Sequence, residues 1–114
     1  MSLTRWDAIT QMFEVYSDAP PSEGGDAVAR GTLEIIPHIR AHPDLRDVPV
    51  TLEYMHLLFE LPGKRPIYFW WESDGHYTIS LRAKSEPVYE DKVTVPTEQV
   101  VPTLLAYIER VRAE

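Results

Sequence analysis

The stretch PIYFWWESDGHYTISLR, residues 66–82, contains two apolar runs separated by Ser73-Asp74-Gly75, which is a strong β-hairpin signal. If Asp74-Gly75 were a two-residue loop, Glu72 would face Tyr77, and polar and apolar side chains would be mixed on both faces of the hairpin. A type I turn with Gly75 in the left-handed conformation would instead place Glu72 opposite His76. Because burial selects the register that keeps one face apolar, the sequence predicts this second register. Its apolar pairs are Trp71 with Tyr77, Phe69 with Ile79 and Ile67 with Leu81.

The size and composition of the chain indicate one globular domain, residues 1–114, with a net charge of −7 and no cysteine. The absence of cysteine excludes disulfides and thiolate metal sites, and it fits a cytoplasmic location. Lys64-Arg65 is the only adjacent basic pair, and no apolar run reaches membrane-spanning length. The sequence therefore predicts neither nucleic-acid nor membrane binding. The acidic charge would suit a basic partner, although solubility alone also explains it.

Two helices are predicted before the first strand. Residues Leu3–Ser17 carry an aromatic-rich stripe at helical spacing, and Thr4 with Asp7 resembles a capping box. Residues 18–25, DAPPSEGG, have the composition of a loop, and Asp26 suits the N-cap of the second helix. Pro37 removes an amide donor, so this helix is expected to end or kink near Ile36.

Strands and a final helix follow. Residues Pro49–Leu61 alternate as one strand, expected to pair Phe59 with Ile67, Leu57 with Phe69 and Met55 with Trp71. After a polar connection over 82–87, residues Tyr89–Val95 predict a further strand. Thr97 suits the cap of a last helix, whose start Pro102 should make irregular. The predicted fold is α+β, a four-stranded antiparallel meander sheet with two N-terminal helices and one C-terminal helix, in the order ααββββα.

The face of the sheet opposite the apolar pairs, called the second face below, is the candidate functional surface. The predicted register makes His56, Trp70 and Thr78 lateral neighbours. It does the same for Tyr54, Glu72 and His76, and for Leu58, Tyr68 and Ser80. Aromatic rings beside polar groups suit binding by stacking and hydrogen bonding. The candidate binding residues are Tyr54, His56, Tyr68, Trp70, Glu72 and His76. Three interpretations stay open: a helix covers this face as core, it binds a protein partner or a second copy of the chain, or it holds a small ligand.

The second face also offers one catalytic hypothesis. Glu72 and His76 are expected to be neighbours, so the carboxylate could raise the pKa of the imidazole and make it a general base, with Tyr54 as acid. A solvent-exposed cross-strand contact explains the same pair without catalysis. The alternative function is therefore a small hydrolase or isomerase with these three residues.

Other chemistries have less support in the sequence. His38 and His42 have the four-residue spacing of helical metal ligands, but Pro37 interrupts that stretch, so no metal site is predicted. The chain has no phosphate-binding glycine loop, no GxSxG elbow and no HExxH motif, and no cofactor is predicted. The sequence thus favours a small binding module acting through the second face.

Overall fold

The computed structural model describes residues 4–18, 25–82 and 89–114. Its helices are α1 (Arg5–Ser17), α2 (Gly25–Arg40), the short α3 (Pro43–Arg46) and α4 (Val100–Arg112), the last preceded by a 3₁₀ turn (Thr97–Gln99). Its strands are β1 (Val50–Glu53), β2 (His56–Phe59), β3 (Ile67–Ser73), β4 (His76–Arg82) and β5 (Tyr89–Pro96). The α+β class is confirmed. The expected start at Leu3, most of the expected loop over 18–25 and most of the connection over 82–87 lie outside the described residues.

The sheet is an antiparallel meander in the order β1-β2-β3-β4-β5, so it has five strands where the sequence predicted four. The predicted strand Pro49–Leu61 is two strands that fold back on each other at Tyr54 and Met55, with Glu53 opposite His56. Tyr54 has a φ of +57°, the one positive value among the described non-glycine residues. Since a tyrosine seldom adopts that conformation and the turn contains no Gly, Asn or Asp, its sequence gives no turn signal. The predicted pair of Met55 with Trp71 was therefore wrong, because Met55 belongs to the turn.

The central hairpin has the predicted apolar pairs, Trp71 with Tyr77, Phe69 with Ile79 and Ile67 with Leu81. The predicted opposition of Glu72 and His76 was wrong, since Ser73 pairs with His76 across a two-residue Asp74-Gly75 loop. A bulge between Trp71 and Ser73 adds the extra residue, Glu72, that restores the apolar register. Gly75 has a φ of +73°, as its predicted left-handed conformation requires.

The first two helices differ from expectation mainly at Pro37. The Thr4–Asp7 capping box at the start of α1 is confirmed. Helix α2, however, runs through Pro37 to Arg40, and Asp26 lies inside its first turn. A proline removes a single amide donor, while the buried side chains of Ile35, Ile36 and Ile39 hold the helix against the core on both sides of it. Burial thus outweighs the expected helix end.

The last helix was expected to begin irregularly because of Pro102, and α4 is indeed preceded by a 3₁₀ turn that follows β5. Thr97 makes no side-chain cap; its hydroxyl donates instead to the Gly75 carbonyl, at 3.3 Å. The apolar side chains at helical spacing on α4 face the core, with Val100, Leu104, Ile108 and Val111 buried.

All described helices pack on one side of the sheet. Their buried side chains, among them Trp6, Phe13 and Ile39, form one cluster with the apolar sheet face that carries Leu57, Phe69 and Ile79. Leu58 and Tyr68, on the second face, are buried but do not belong to this cluster. In the described ranges, no helix is long and apolar enough to cross a membrane.

Candidate functional site

The second face is divided into a buried part and an accessible part. Leu58, Tyr68, Thr78 and Ser80 are all buried, with Tyr68 only 3% exposed. Towards the two hairpin turns, Trp70 and His56 are half-buried, and Glu72 and His76 are exposed. Both turns lie at the same end of the sheet, because β2 begins where β3 ends. The accessible surface is therefore the turn end of the second face.

Trp70 is the centre of this accessible surface, and the side chains of His56, Glu72 and Lys92 contact its indole. The His56 ring stacks on it with centroids 4.7 Å apart, and its Nε1–H donates to Glu72 Oε2 at 2.7 Å. Lys92 Nζ lies 5.6 Å from the ring centroid, within cation–π range. His56 is on β2 and Lys92 on β5, so these contacts come from opposite sides of β3. These four residues are called the Trp70 patch below.

The predicted row of His56, Trp70 and Thr78 is confirmed as adjacent, and so is the row of Leu58, Tyr68 and Ser80. The predicted row of Tyr54, Glu72 and His76 was wrong, because Tyr54 belongs to the β1–β2 turn and the bulge takes Glu72 out of register with His76. Sequence reasoning missed Lys92. Its signal was available, since alternation on β5 places Lys92 and Thr94 on the second face, and the Thr94 hydroxyl is 2.8 Å from that of Thr78.

The described charges on and beside the Trp70 patch are mildly acidic at neutral pH. Burial lowers the pKa of His56 below its ordinary value of 6.5, and the nearby Glu53 carboxylate opposes this only in part. His56 is therefore neutral at pH 7. Among the described side chains, the carboxylates of Glu72 and of Glu53 beside His56 outnumber the ammonium of Lys92.

The residues of the catalytic hypothesis are not assembled into a cleft. The Glu72 carboxylate accepts from Trp70, and Nδ1 of His76 lies 3.1 Å from the Asp74 carbonyl oxygen. Tyr54 is 88% exposed at the neighbouring turn. The bulge at Glu72 explains the separation, because it shifts Glu72 out of register with His76.

The two histidines at the end of α2 have separate surroundings. His38 is exposed on α2, whereas His42 lies beyond the helix and caps α3, with its Nδ1 accepting from the Asp44 amide at 3.3 Å. A group of three or more His, Asp or Glu side chains arranged to hold a metal ion does not occur in the described part of the chain.

Three cavities lie away from the Trp70 patch. One of about 370 Å³ lies beside β1, between Arg5, Trp6 and Arg46. Another of about 300 Å³ lies between α2 and the β3–β4 turn, and the third, of about 180 Å³, is beside Asp91 and Tyr107. Trp70 lines none of these three. Comparisons of the chain with protein-family models, with curated proteins and with solved structures found no match.

Proposed function

We propose that this protein is a protein-binding module whose Trp70 patch contacts a basic surface on a partner protein. The observation that carries the proposal is that a half-buried tryptophan is contacted by His56 from β2 and Lys92 from β5 and hydrogen-bonded to Glu72. An indole already held in place loses little entropy on binding, and tryptophan is over-represented among interface hot spots.

The shape and charge of the patch favour a protein over a small ligand. Small-molecule sites are concave and bury most of their ligand, whereas the Trp70 patch lies outside the three cavities described above. The carboxylates of Glu53 and Glu72 and the net charge of −7 favour a basic partner surface. A second copy of the chain has the same acidic charge and is less well matched.

The hydrolase or isomerase alternative has weaker support. General acid–base catalysis requires the base and its orienting carboxylate within hydrogen-bonding reach, about 3 Å. Glu72 and His76 instead bond to different groups on an exposed strand end.

The test begins with capture of partners from an extract of the source organism by three immobilised forms of the chain: wild type, Trp70→Ala and the control Tyr16→Ala. Tyr16 is 45% exposed on α1, away from the sheet, so its removal matches the loss of an accessible ring. A captured protein is then purified and titrated. We expect Trp70→Ala to raise the dissociation constant for this partner by about 30-fold or more, as truncation of a hot spot does. Tyr16→Ala should change it less than threefold, and added salt should weaken wild-type binding.

Three outcomes would contradict the proposal: a purified partner that binds Trp70→Ala as tightly as wild type, one that is sensitive only to Tyr16→Ala, or binding that is unaffected by salt. Light scattering on the isolated protein tests whether the patch instead binds a second copy of the chain. A wild-type dimer that Trp70→Ala converts to a folded monomer would make a second copy the occupant and overturn the basic partner.

A further inference from the structure

The cavity between α2 and the β3–β4 turn has features of a binding site that the Trp70 patch does not use. It measures about 300 Å³, the lower end of the range of ligand pockets. Trp71 forms part of its wall, and Glu34, Asp74 and Arg30 contribute charged groups. Because Trp71 points to the helix side of the sheet and Trp70 to the second face, the two sites lie on opposite sides of β3.

The charge available at this cavity is negative. Arg30 already makes an ion pair with Asp26, with Nη2 and Oδ2 2.9 Å apart and the Asp26 side chain only 6% exposed. Glu34 and Asp74 are exposed, and neither forms an ion pair within residues 4–18, 25–82 and 89–114. Two carboxylates that make no ion pair with a described residue therefore line the cavity, beside one cation that is already neutralised.

The aromatic wall is held rigidly. Trp71 packs so closely on α2 that a Cβ added to Gly31 would lie 2.1 Å from its Cδ1. On the neighbouring strand, the Tyr77 hydroxyl donates to the Gly31 carbonyl at 2.6 Å and ties the same helix turn to the sheet. A fixed indole beside carboxylates is the arrangement that attracts organic cations, through the ring quadrupole and direct charge contact.

We propose that this cavity binds a guanidinium or alkylammonium group, which packs against Trp71 and places its charge between Glu34 and Asp74. The volume suits one such side-chain-sized group. Guanidinium and alkylammonium groups occur both in free small molecules and in the Arg and Lys side chains of proteins. The proposal does not depend on the function of the Trp70 patch.

The test titrates n-butylguanidinium into the isotopically labelled protein and follows the indole N–H signal of Trp71 by NMR, assigned with Trp71→Phe. We expect a saturable shift, and no shift with the neutral analogue n-butylurea. Glu34→Gln and Asp74→Asn should each weaken binding about two- to fivefold, as loss of one surface charge contact does. Glu98→Gln is the matched control, because Glu98 is an exposed carboxylate in the 3₁₀ turn and does not line the cavity.

Equal shifts with n-butylurea, no saturation, or binding unaffected by both Glu34→Gln and Asp74→Asn would overturn the proposal. The peptide acetyl-Gly-Arg-Gly-amide distinguishes the two sources. Tighter binding of the peptide than of n-butylguanidinium assigns the site to protein side chains, and the reverse order assigns it to a free cation. Trp70→Ala should leave n-butylguanidinium binding unchanged, so failure of the partner-binding proposal and failure of this one give different results.

Discussion

Replacement of Gly31 by alanine tests how closely α2 packs on the central hairpin. The added methyl would lie 2.1 Å from Trp71 Cδ1 and 2.3 Å from Nε1, well inside van der Waals contact. The indole is a rigid ring packed against the core, so α2 has to move away from β3. That movement would also stretch the 2.6 Å hydrogen bond from the buried Tyr77 hydroxyl to the Gly31 carbonyl.

The expected cost combines three terms. Overpacking costs about 1–3 kcal/mol, and a buried hydroxyl deprived of its partner costs about 1–3 kcal/mol more. Alanine is favoured over glycine inside a helix by about 1 kcal/mol, which offsets part of this. We therefore expect Gly31→Ala to lower the free energy of unfolding by about 3 kcal/mol, within a range of about 1–5 kcal/mol.

The assay is urea unfolding followed by circular dichroism, with Gly31→Ala made in the wild type and in a Trp71→Leu background. Once the indole is removed, the substitution should become neutral or stabilising by up to about 1 kcal/mol. The reasoning would be refuted if Gly31→Ala were neutral or stabilising in the wild type, or if its cost were the same in both backgrounds.

Three further predictions concern single side chains. Because burial lowers the pKa of His56, the unfolded chain binds more protons than the folded one below pH 6.5. The free energy of unfolding should therefore fall as pH drops from 6.5 towards the folded pKa. His56→Gln should reduce that pH dependence, measured by urea unfolding at several pH values. Burial, aided by the charge of Glu34, raises the pKa of Tyr77 to about 12, so stability should be lost as pH rises from 10 to 12. Tyr77→Phe should remove that loss and cost about 1 kcal/mol at pH 7, measured by the same melts, and a phenol titrating near 10 in the folded protein would contradict this. Tyr54→Gly should leave the free energy of unfolding unchanged or raise it by up to about 1 kcal/mol, because glycine adopts a positive φ without strain and the lost side chain is 88% exposed. A loss above about 1 kcal/mol in urea unfolding would contradict this and show that the ring contributes to folding.

The part of the fold that the sequence predicts is the part decided by burial. The pairs of Phe69 with Ile79 and of Leu57 with Phe69 follow from alternation, because a slip of one residue would expose an apolar side chain. Pro37 shows the limit of local rules, since the three buried isoleucines around it keep α2 intact. The turn at Tyr54 has no sequence signal, because the residue adopts a conformation that its type disfavours.

The candidate site was predictable to the same extent. The neighbours of Trp70 on β2 and β4 follow from the register, which is set by the apolar face. The contact of Glu72 with Trp70 rather than with His76 depends on a backbone bulge. A bulge moves one residue without altering the apolar pattern on either side of it, so the sequence gives no sign of it.

The measurement that tests the central claim most directly compares the free energies of unfolding of Trp70→Ala and Trp71→Ala. Trp71 packs against the core cluster, so its loss should cost about 3 kcal/mol or more. Trp70 is half-buried at the accessible end of the second face, where His56 stacks on it and Lys92 lies within cation–π range, and its loss should cost about 1–2 kcal/mol. That difference would establish the Trp70 patch as a surface that folding does not require. A cost for Trp70→Ala equal to or above that for Trp71→Ala would make Trp70 part of the core and contradict the proposed binding surface.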